Sequence, residues 1–232
     1  MHDTGWVANW VDDEVATRWA AFPVDGAPRP IVLLDDRVQL EGDGFVDDES
    51  KVAWLEGAIE AHSPTPSAVL ALLPTRRQGN TETVLRITGV IRTVAPFLCD
   101  RGPRSLPAYR LQMPGLHGSC VVLAPDVECW PVSDADQRRG PGGAATIDQD
   151  DLTIHFPAFG GVLTQFHRAE FQEHATYVVG RAVTSERRVP PGTAVVALGV
   201  TRDVTGRLTA PLGGRVLLNM NGQPLAVTPK RH

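Results

Sequence analysis

Short apolar runs separated by turn residues fill the last third of the chain. Residues 152–156 alternate apolar and polar side chains, which is the pattern of a strand with one buried face. Further along, Asn221-Gly222 separates two apolar runs, and this dipeptide predicts a two-residue hairpin turn joining strands at 215–219 and 224–227. The C-terminal region is therefore predicted to be all β.

Near the start of the chain, the apolar spacing is that of a helix instead. Val15, Trp19 and Phe22 are separated by four and three residues, so they would share one face. Acidic residues precede them, where they favour the positive end of a helix dipole. A short helix ending before Pro23 is predicted.

A second short helix is predicted after an acidic stretch at residues 35–49. Asp47 or Asp48 would cap this helix, which would extend through Glu60. The residues predicted to face the core are Val52, Leu55 and Ile59. The acidic stretch does not fit a calcium-binding EF-hand, because placing Gly44 at the loop glycine leaves Gln39 and Ser50 where acidic ligands are needed.

The chain as a whole contains 19 prolines and 22 glycines, which suits many short elements better than a helical bundle. The predicted fold class is mainly β, with two packed β-rich halves (sandwich or barrel-like) and two short helices. A polar, glycine-rich segment at residues 133–145 has the composition of a loop or linker. The predicted domains are thus an N-terminal β-rich half with the short helices at 1–132 and a C-terminal all-β half at 146–232.

Composition narrows the classes of function. The formal net charge is −5, from 22 basic and 27 acidic residues, and the arginine pairs are dispersed, so no nucleic-acid partner is expected. No apolar run approaches the roughly 20 residues of a membrane span. The N-terminus lacks the features of a signal peptide, so the expected location is cytoplasmic as the sequence stands, or secreted or envelope-associated if a leader was removed.

Three cysteines, Cys99, Cys120 and Cys129, form no C-x-x-C motif. Reduced, buried thiols are therefore expected, with a Cys120–Cys129 disulfide as the alternative. The sequence also contains no G-x-S-x-G, Walker or dinucleotide-binding glycine motif, so no cofactor and no catalytic residue set is assigned.

One string of residues has the types that bind zinc. On a helix, His167, Glu170 and His174 would present three ligands on one side. The flanking sequences favour strands, however, and in a regular strand the two histidines face opposite sides. A solvated strand edge is the preferred interpretation, and a metal-assisted hydrolase built on these three residues is the alternative function. No metal site is assigned.

A stronger candidate for ligand binding follows Asp100. The turn predicted at Gly102-Pro103 would hold Arg101 and Arg104 close together, and the next strand would carry Tyr109 towards them. Two guanidinium groups and a phenol make a receptor for a carboxylate or phosphate. The alternative is that Asp100 pairs with an arginine to hold the turn while the tyrosine lies in the core.

The same segment carries a resemblance. Residues 85–90 and 100–110, together with 210–219 and 222–227, resemble a pattern in uncharacterised actinobacterial β-rich proteins, many of them secreted or lipid-anchored. The resemblance covers about half the chain and implies no activity or catalytic residues. The predicted function is thus a non-catalytic binding or interaction module whose ligand is a small anion or a protein partner. A structural protein that pairs through an exposed edge strand is a third possibility.

Overall fold

A computed structural model describes residues 9–76, 81–132, 143–188, 190 and 198–230. The chain is mainly β, with 45% strand and 10% helix, which confirms the predicted fold class. Within the described residues the helices are α1 Asp13–Ala20, α2 Asp48–Leu55 and α3 Ser67–Leu70. The strands are β1 Val38–Leu40, β2 Ile59–Ala61, β3 Leu85–Ile87, β4 Gly89–Cys99, β5 Gly102–Gln112, β6 Cys120–Leu123, β7 Ala144–Ile147, β8 Thr153–Gly161, β9 Thr164–Glu173, β10 Tyr177–Glu186, β11 Gly199–Arg207, β12 Val216–Leu218 and β13 Ala226–Pro229.

The chain forms two units whose boundaries differ from the predicted domains at 1–132 and 146–232. Unit 1 consists of Met1–Leu34, Leu98–Gly102 and Cys129–His232, and unit 2 of Asp35–Phe97 and Pro103–Glu128. The N-terminal segment belongs with the C-terminal strands because its helix buries its apolar face against them. Most of the predicted linker, residues 133–142, lies outside the described residues.

The described strands of unit 1 form two sheets. One has the strand order β11-β8-β7-β13, and the other has the order β12-β10-β9. Ile154 and Phe156 of β8, Val178 of β10 and Leu217 of β12 meet in one buried cluster, so apolar residues from both sheets share a core. The alternation predicted at residues 152–156 is correct, since Ile154 and Phe156 are buried and His155 between them faces outward.

Helix α1 forms where the sequence predicts it. The Asp12 side chain accepts the backbone N–H of Val15 at 2.8 Å, which caps the helix. Val15 and Trp19 are buried in a cluster with Val179 of β10. Packing of this apolar face therefore stabilises α1, because so short a helix is not stable on its own.

The chain reverses around Asn221-Gly222 as predicted, but the loop has three residues instead of two, and the flanking strands β12 and β13 belong to different sheets, with an isolated bridge between Leu218 and Pro224. The N–H of Gly222 bonds the carbonyl oxygen of Asn219, and the N–H of Asn219 bonds that of Gln223, both at 2.9 Å. Gly222 has a φ of 76°, while Asn221 keeps a negative φ. This is a turn followed by a left-handed glycine bulge, the second commonest way to close a hairpin.

Unit 2 is built on a sheet with the order β1-β6-β5-β4. Helix α2 begins after Asp47, as predicted, but ends earlier and buries different residues. Ser50 and Ala53 face the core, whereas Val52 and Leu55, predicted to be buried, are exposed. The third predicted core residue, Ile59, lies beyond the helix in β2.

Where α2 meets the core, Gly115 comes close to Ser50. A Cβ added to Gly115 would lie 2.9 Å from Ser50 Oγ and 2.3 Å from Leu85 Cδ2, so the space beside position 50 suits a small residue. Trp54 is half-buried against the core, while Val52 and Leu55 are exposed. Spacing alone predicted a helix but not the side that packs.

The three cysteines form no disulfide. Cys99 and Cys120 are buried and Cys129 is half-buried, so the expectation of reduced thiols holds. Burial, with a smaller contribution from the charge of Glu41, raises the pKa of the Cys120 thiol to about 12. Within the described ranges, no helix has the length and apolar composition needed to cross a bilayer.

Candidate functional site

Arg101, the first predicted ligand-binding residue, lies in unit 1 with its guanidinium group engaged. Its Nη2 donates to the carbonyl oxygen of Gly213 and, at 2.7 Å, to that of Arg215. Neither carbonyl belongs to a strand, so each needs a donor from elsewhere in the fold. Arg101 therefore stabilises the turn before β12 through these two hydrogen bonds.

The neighbouring Asp100 is paired with a different arginine. Its carboxylate is only 3% exposed, and Arg29 Nη2 lies 2.5 Å from its Oδ2. Arg29 Nε in turn donates to the carbonyl oxygen of Gly214 at 2.8 Å. Asp100 and the two arginines thus form one polar network around the turn at residues 212–215, and a buried pair of this kind is costly to break from one side.

The other two predicted residues lie in unit 2. Arg104 is exposed on β5. Tyr109, on the same strand, is half-buried and packs against the apolar core of that unit. Its neighbour Arg110 pairs with Glu41, with Nη2 and Oε1 3.0 Å apart. An anion site at Arg101, Arg104 and Tyr109 remains a prediction.

The three residues of the alternative zinc site lie in β9 or directly after it, and each has another neighbour. His167 is the extra residue of a β-bulge, because the register shifts from Val183 opposite Arg168 to Thr184 opposite Phe166. Its Nε2 lies 2.8 Å from Ser185 Oγ. Among the described residues, no group of three or more His, Cys, Asp or Glu side chains is placed to hold a metal ion.

Glu170 and His174 are occupied as well. Hydrogen bonds from Arg181 and Arg168 lower the pKa of Glu170, so its carboxylate is ionised at neutral pH. The ring of His174 stacks on Tyr177 with centroids 4.2 Å apart, and burial lowers the pKa of this histidine. The string of residues therefore serves pairing and packing along one edge of the sheet.

A carboxylate–imidazole–hydroxyl chain that sequence inspection missed lies on the outer face of the β11-β8-β7-β13 sheet. His155 Nε2 lies 3.0 Å from Asp148 Oδ1, and its Nδ1 lies 3.3 Å from Thr205 Oγ1. This order of groups activates hydroxyl nucleophiles in hydrolases. The signal was present in the alternation of β8, which turns His155 away from the core.

Lys230 competes for the same imidazole nitrogen. Its Nζ lies 3.1 Å from His155 Nε2, and an ammonium group only donates hydrogen bonds. When Nε2 accepts this bond, Nδ1 carries the proton and donates to Thr205, which is the wrong direction for activating a hydroxyl. None of these residues lines the pocket that opens between β8, β10 and the loop after β12. We therefore assign the cluster a structural role, in which it links neighbouring strands of the sheet.

A pocket of about 340 Å³ opens in unit 1 between β8, β10 and the hairpin loop after β12. We call it the Phe159 pocket. Its principal lining residues are Phe156, Phe159, Gly180, Arg181, Met220 and Asn221.

The apolar part of the Phe159 pocket includes two side chains that the fold leaves exposed. Phe159 is 67% exposed and Met220 is 42% exposed. Opposite them, Gly180 leaves room for the ring of Phe156, since a Cβ there would lie 2.4 Å from Phe156 Cε2. The pocket therefore combines a packed apolar wall with an exposed apolar rim.

The polar part of the Phe159 pocket is held in place by an ion pair, a cation–π contact and hydrogen bonds. Arg181 Nη2 lies 2.7 Å from Glu170 Oε2, and the guanidinium carbon lies 4.1 Å from the ring centroid of Trp10. At the loop, Asn219 Oδ1 accepts the N–H groups of Asn221 at 2.9 Å and Gln223 at 3.1 Å. These bonds hold the loop that carries Met220.

A second anchored carboxylate supports the loop at residues 208–215. Glu173 accepts hydrogen bonds from the N–H of Thr209 at 2.6 Å and from Arg215 Nη1 at 3.0 Å. Burial alone would raise the pKa of Glu173, but these hydrogen bonds outweigh it, and the pKa lies below its ordinary value. Its role is structural, because every bond it makes holds this loop or the end of β9.

No protein-family model, curated protein or solved structure matches the chain. The resemblance to uncharacterised actinobacterial proteins accordingly stays a prediction. Any function assigned to this chain has to come from its own residues.

Proposed function

We propose that the protein is a non-catalytic binding module that takes a small, neutral, largely apolar ligand in the Phe159 pocket. The observation that carries the proposal is the pocket itself, about 340 Å³ in volume, with Phe159 and Met220 exposed at its rim. Small-molecule sites are concave, mainly apolar and about 300–1,000 Å³ in volume. Large exposed apolar side chains that gather at a concave surface are typical of binding sites.

The preference for a neutral ligand follows from Arg181. Arg181 pairs with Glu170 at 2.7 Å, a carboxylate that it shares with Arg168, so a bound anion would face a carboxylate as well as a guanidinium group. Arg181 is also held by Trp10, and moving it towards a ligand would break that contact. Asn221 lies among the lining residues and offers an amide to a hydroxyl or carbonyl group.

The polar clusters elsewhere in unit 1 favour binding over catalysis. Arg101 is committed to backbone carbonyls, and His167 to Ser185. His155 is shared between Asp148 and Lys230. Each of these three side chains makes contacts that stabilise the fold.

The test compares 2-naphthol with 2-naphthoate, which differ in charge while sharing the same ring system. Binding is followed by saturation-transfer NMR and titration. We expect 2-naphthol to bind with a Kd of about 1 mM or tighter, as suits a compact ligand of this size, and 2-naphthoate to bind more weakly.

Phe159→Ala and Met220→Ser should each weaken 2-naphthol binding by about tenfold, because each removes apolar area that the ligand covers. Val162→Ser is the matched control, since Val162 is 45% exposed in the same unit and lies outside the pocket. Unchanged affinity in Phe159→Ala would overturn the proposal. Binding of 2-naphthoate that is lost in Arg104→Ala but kept in Phe159→Ala would overturn it in favour of the anion site.

A further inference from the structure

Helix α2 in unit 2 presents apolar side chains to solvent. Val52 is 43% exposed and Leu55 is 62% exposed. They are three residues apart and so lie on the same side of the helix. Val46, just before the helix, is 49% exposed. The fully buried residues of α2 are the small Ser50 and Ala53, and the half-buried Trp54 also packs against the core of the unit.

Two adjoining clefts flank this exposed side. One, of about 720 Å³, is lined by residues 43–48 and by Lys51. The other, of about 340 Å³, includes Glu49, Val52 and Glu56. Asp48 lines both clefts, so they meet at the first residue of α2. An extended or helical segment laid along α2 would fill both.

The charges around the clefts are predominantly negative. Among the described lining residues, the carboxylates are those of Asp43, Asp47, Asp48, Glu49 and Glu56, and the cation is the ammonium group of Lys51. We call these residues, together with Val46, Val52 and Leu55, the α2 surface.

Several of the carboxylates are held in place by unit 2 itself. Asp47 accepts the backbone N–H of Ser50 at 2.7 Å, and this bond lowers the pKa of Asp47. Glu56 accepts the N–H of Thr81 at 3.1 Å. Fixed carboxylates lose less conformational freedom when a partner binds than freely rotating ones do.

We propose that the α2 surface docks a basic amphipathic segment of a partner protein, in which lysine or arginine side chains flank two or three apolar residues. The apolar residues of the segment would cover Val52 and Leu55, and its cations would meet the surrounding carboxylates. Charge complementarity of this kind speeds association and selects the partner. This site lies in unit 2 and is independent of the Phe159 pocket.

The probe is a fluorescently labelled synthetic peptide of about twelve residues with leucines on one helical face and lysines on the other. Two control peptides are used: a scrambled sequence of the same composition without an apolar face, and a peptide with glutamate in place of lysine. Fluorescence anisotropy measures the Kd of each for the full chain. We expect only the leucine–lysine peptide with the intact apolar face to bind with a Kd below about 100 μM. Its binding should weaken as the salt concentration rises to physiological ionic strength, where the Debye length is about 8 Å.

The variants separate the apolar and electrostatic parts of the proposal. Val52→Ser with Leu55→Ser, and separately Asp48→Asn with Glu49→Gln, should each weaken binding by about tenfold. Ile91→Ser is the control, because Ile91 is 51% exposed in unit 2 and lies outside the α2 surface. Circular dichroism checks that each variant stays folded.

Equal binding of the scrambled peptide, or no effect of Val52→Ser with Leu55→Ser, would overturn the proposal, since attraction would then depend on charge alone. Failure of the leucine–lysine peptide to bind at about 1 mM would do the same. A thermal shift with calcium alone, together with no peptide binding, would replace it with a cation site. Tighter association of two copies of the chain than of chain and peptide would replace it with self-association.

Discussion

Replacing Arg101 by alanine should destabilise unit 1 without any ligand present. The side chain is only 28% exposed, and its Nη2 donates to the carbonyl oxygens of Gly213 and Arg215. Each hydrogen bond from a charged donor is worth about 1.5–3 kcal/mol, and partial exposure lowers that value through screening by water. Losing both bonds should therefore cost roughly 2 kcal/mol of the free energy of unfolding.

Arg104→Ala provides the matched control, since Arg104 is exposed and only three residues away in sequence. An exposed arginine contributes roughly 0–1 kcal/mol, so this variant should unfold close to the wild type. For a chain of this length, the expected loss in Arg101→Ala corresponds to a Tm about 4–8 °C lower. Urea unfolding and thermal melts of the three proteins measure the difference.

Amide hydrogen exchange places the effect within unit 1. The amides at residues 212–215 should exchange faster in Arg101→Ala, because the turn loses two of its fixed carbonyls. Equal stability of Arg101→Ala and Arg104→Ala would refute the structural role of Arg101. Stabilisation of the wild type by phosphate, absent in Arg101→Ala, would instead support the predicted anion site.

Two further predictions concern unit 1. The folded-state pKa of Glu173 lies below its ordinary value of 4.5, so the stability that its carboxylate contributes is present above that pH and is lost as the pH falls through the folded pKa. The free energy of unfolding should therefore drop less in Glu173→Gln than in the wild type between neutral pH and about pH 3. Equal drops in the two proteins would contradict this. Gly222→Ala should cost roughly 2–4 kcal/mol, because Gly222 has a φ of 76° and a Cβ there would lie 2.5 Å from Val15 Cγ1. Gly213→Ala is its control: its φ of 50° is also positive but its nearest neighbour would be 3.8 Å away, so urea unfolding should show a loss of only about 1 kcal/mol.

Local patterns predicted the elements whose neighbours are close in sequence. The spacing of Val15 and Trp19 predicted α1 and its buried side, and the alternation at residues 152–156 predicted the buried side of β8. Both succeed because one amphipathic face meets one core. For α2 the same spacing rule chose the wrong side, since the packing of Ser50 beside Gly115, more than fifty residues away in the sequence, is a contact that local spacing does not show.

The Phe159 pocket could not be predicted in this way. Phe159 and Met220 come from β8 and from the loop after β12, which are some sixty residues apart in the sequence. In a pattern of alternation, an outward phenylalanine looks like an ordinary strand residue. Only the packing of β8, β10 and the hairpin loop makes it the rim of a concave surface.

The arginines around the turn at residues 210–215 have a structural use, for a physical reason. Turns leave backbone carbonyls without ladder partners, and an arginine can supply several donors at once. Arg29, Arg101 and Arg215 all donate to carbonyls within residues 210–215. An arginine beside a Gly-Pro turn thus has a structural use that no sequence pattern separates from ligand binding. The exposed apolar side chains of Phe159 and Leu55 have no such use in the turns, and each is therefore the place where the proposed partners are tested.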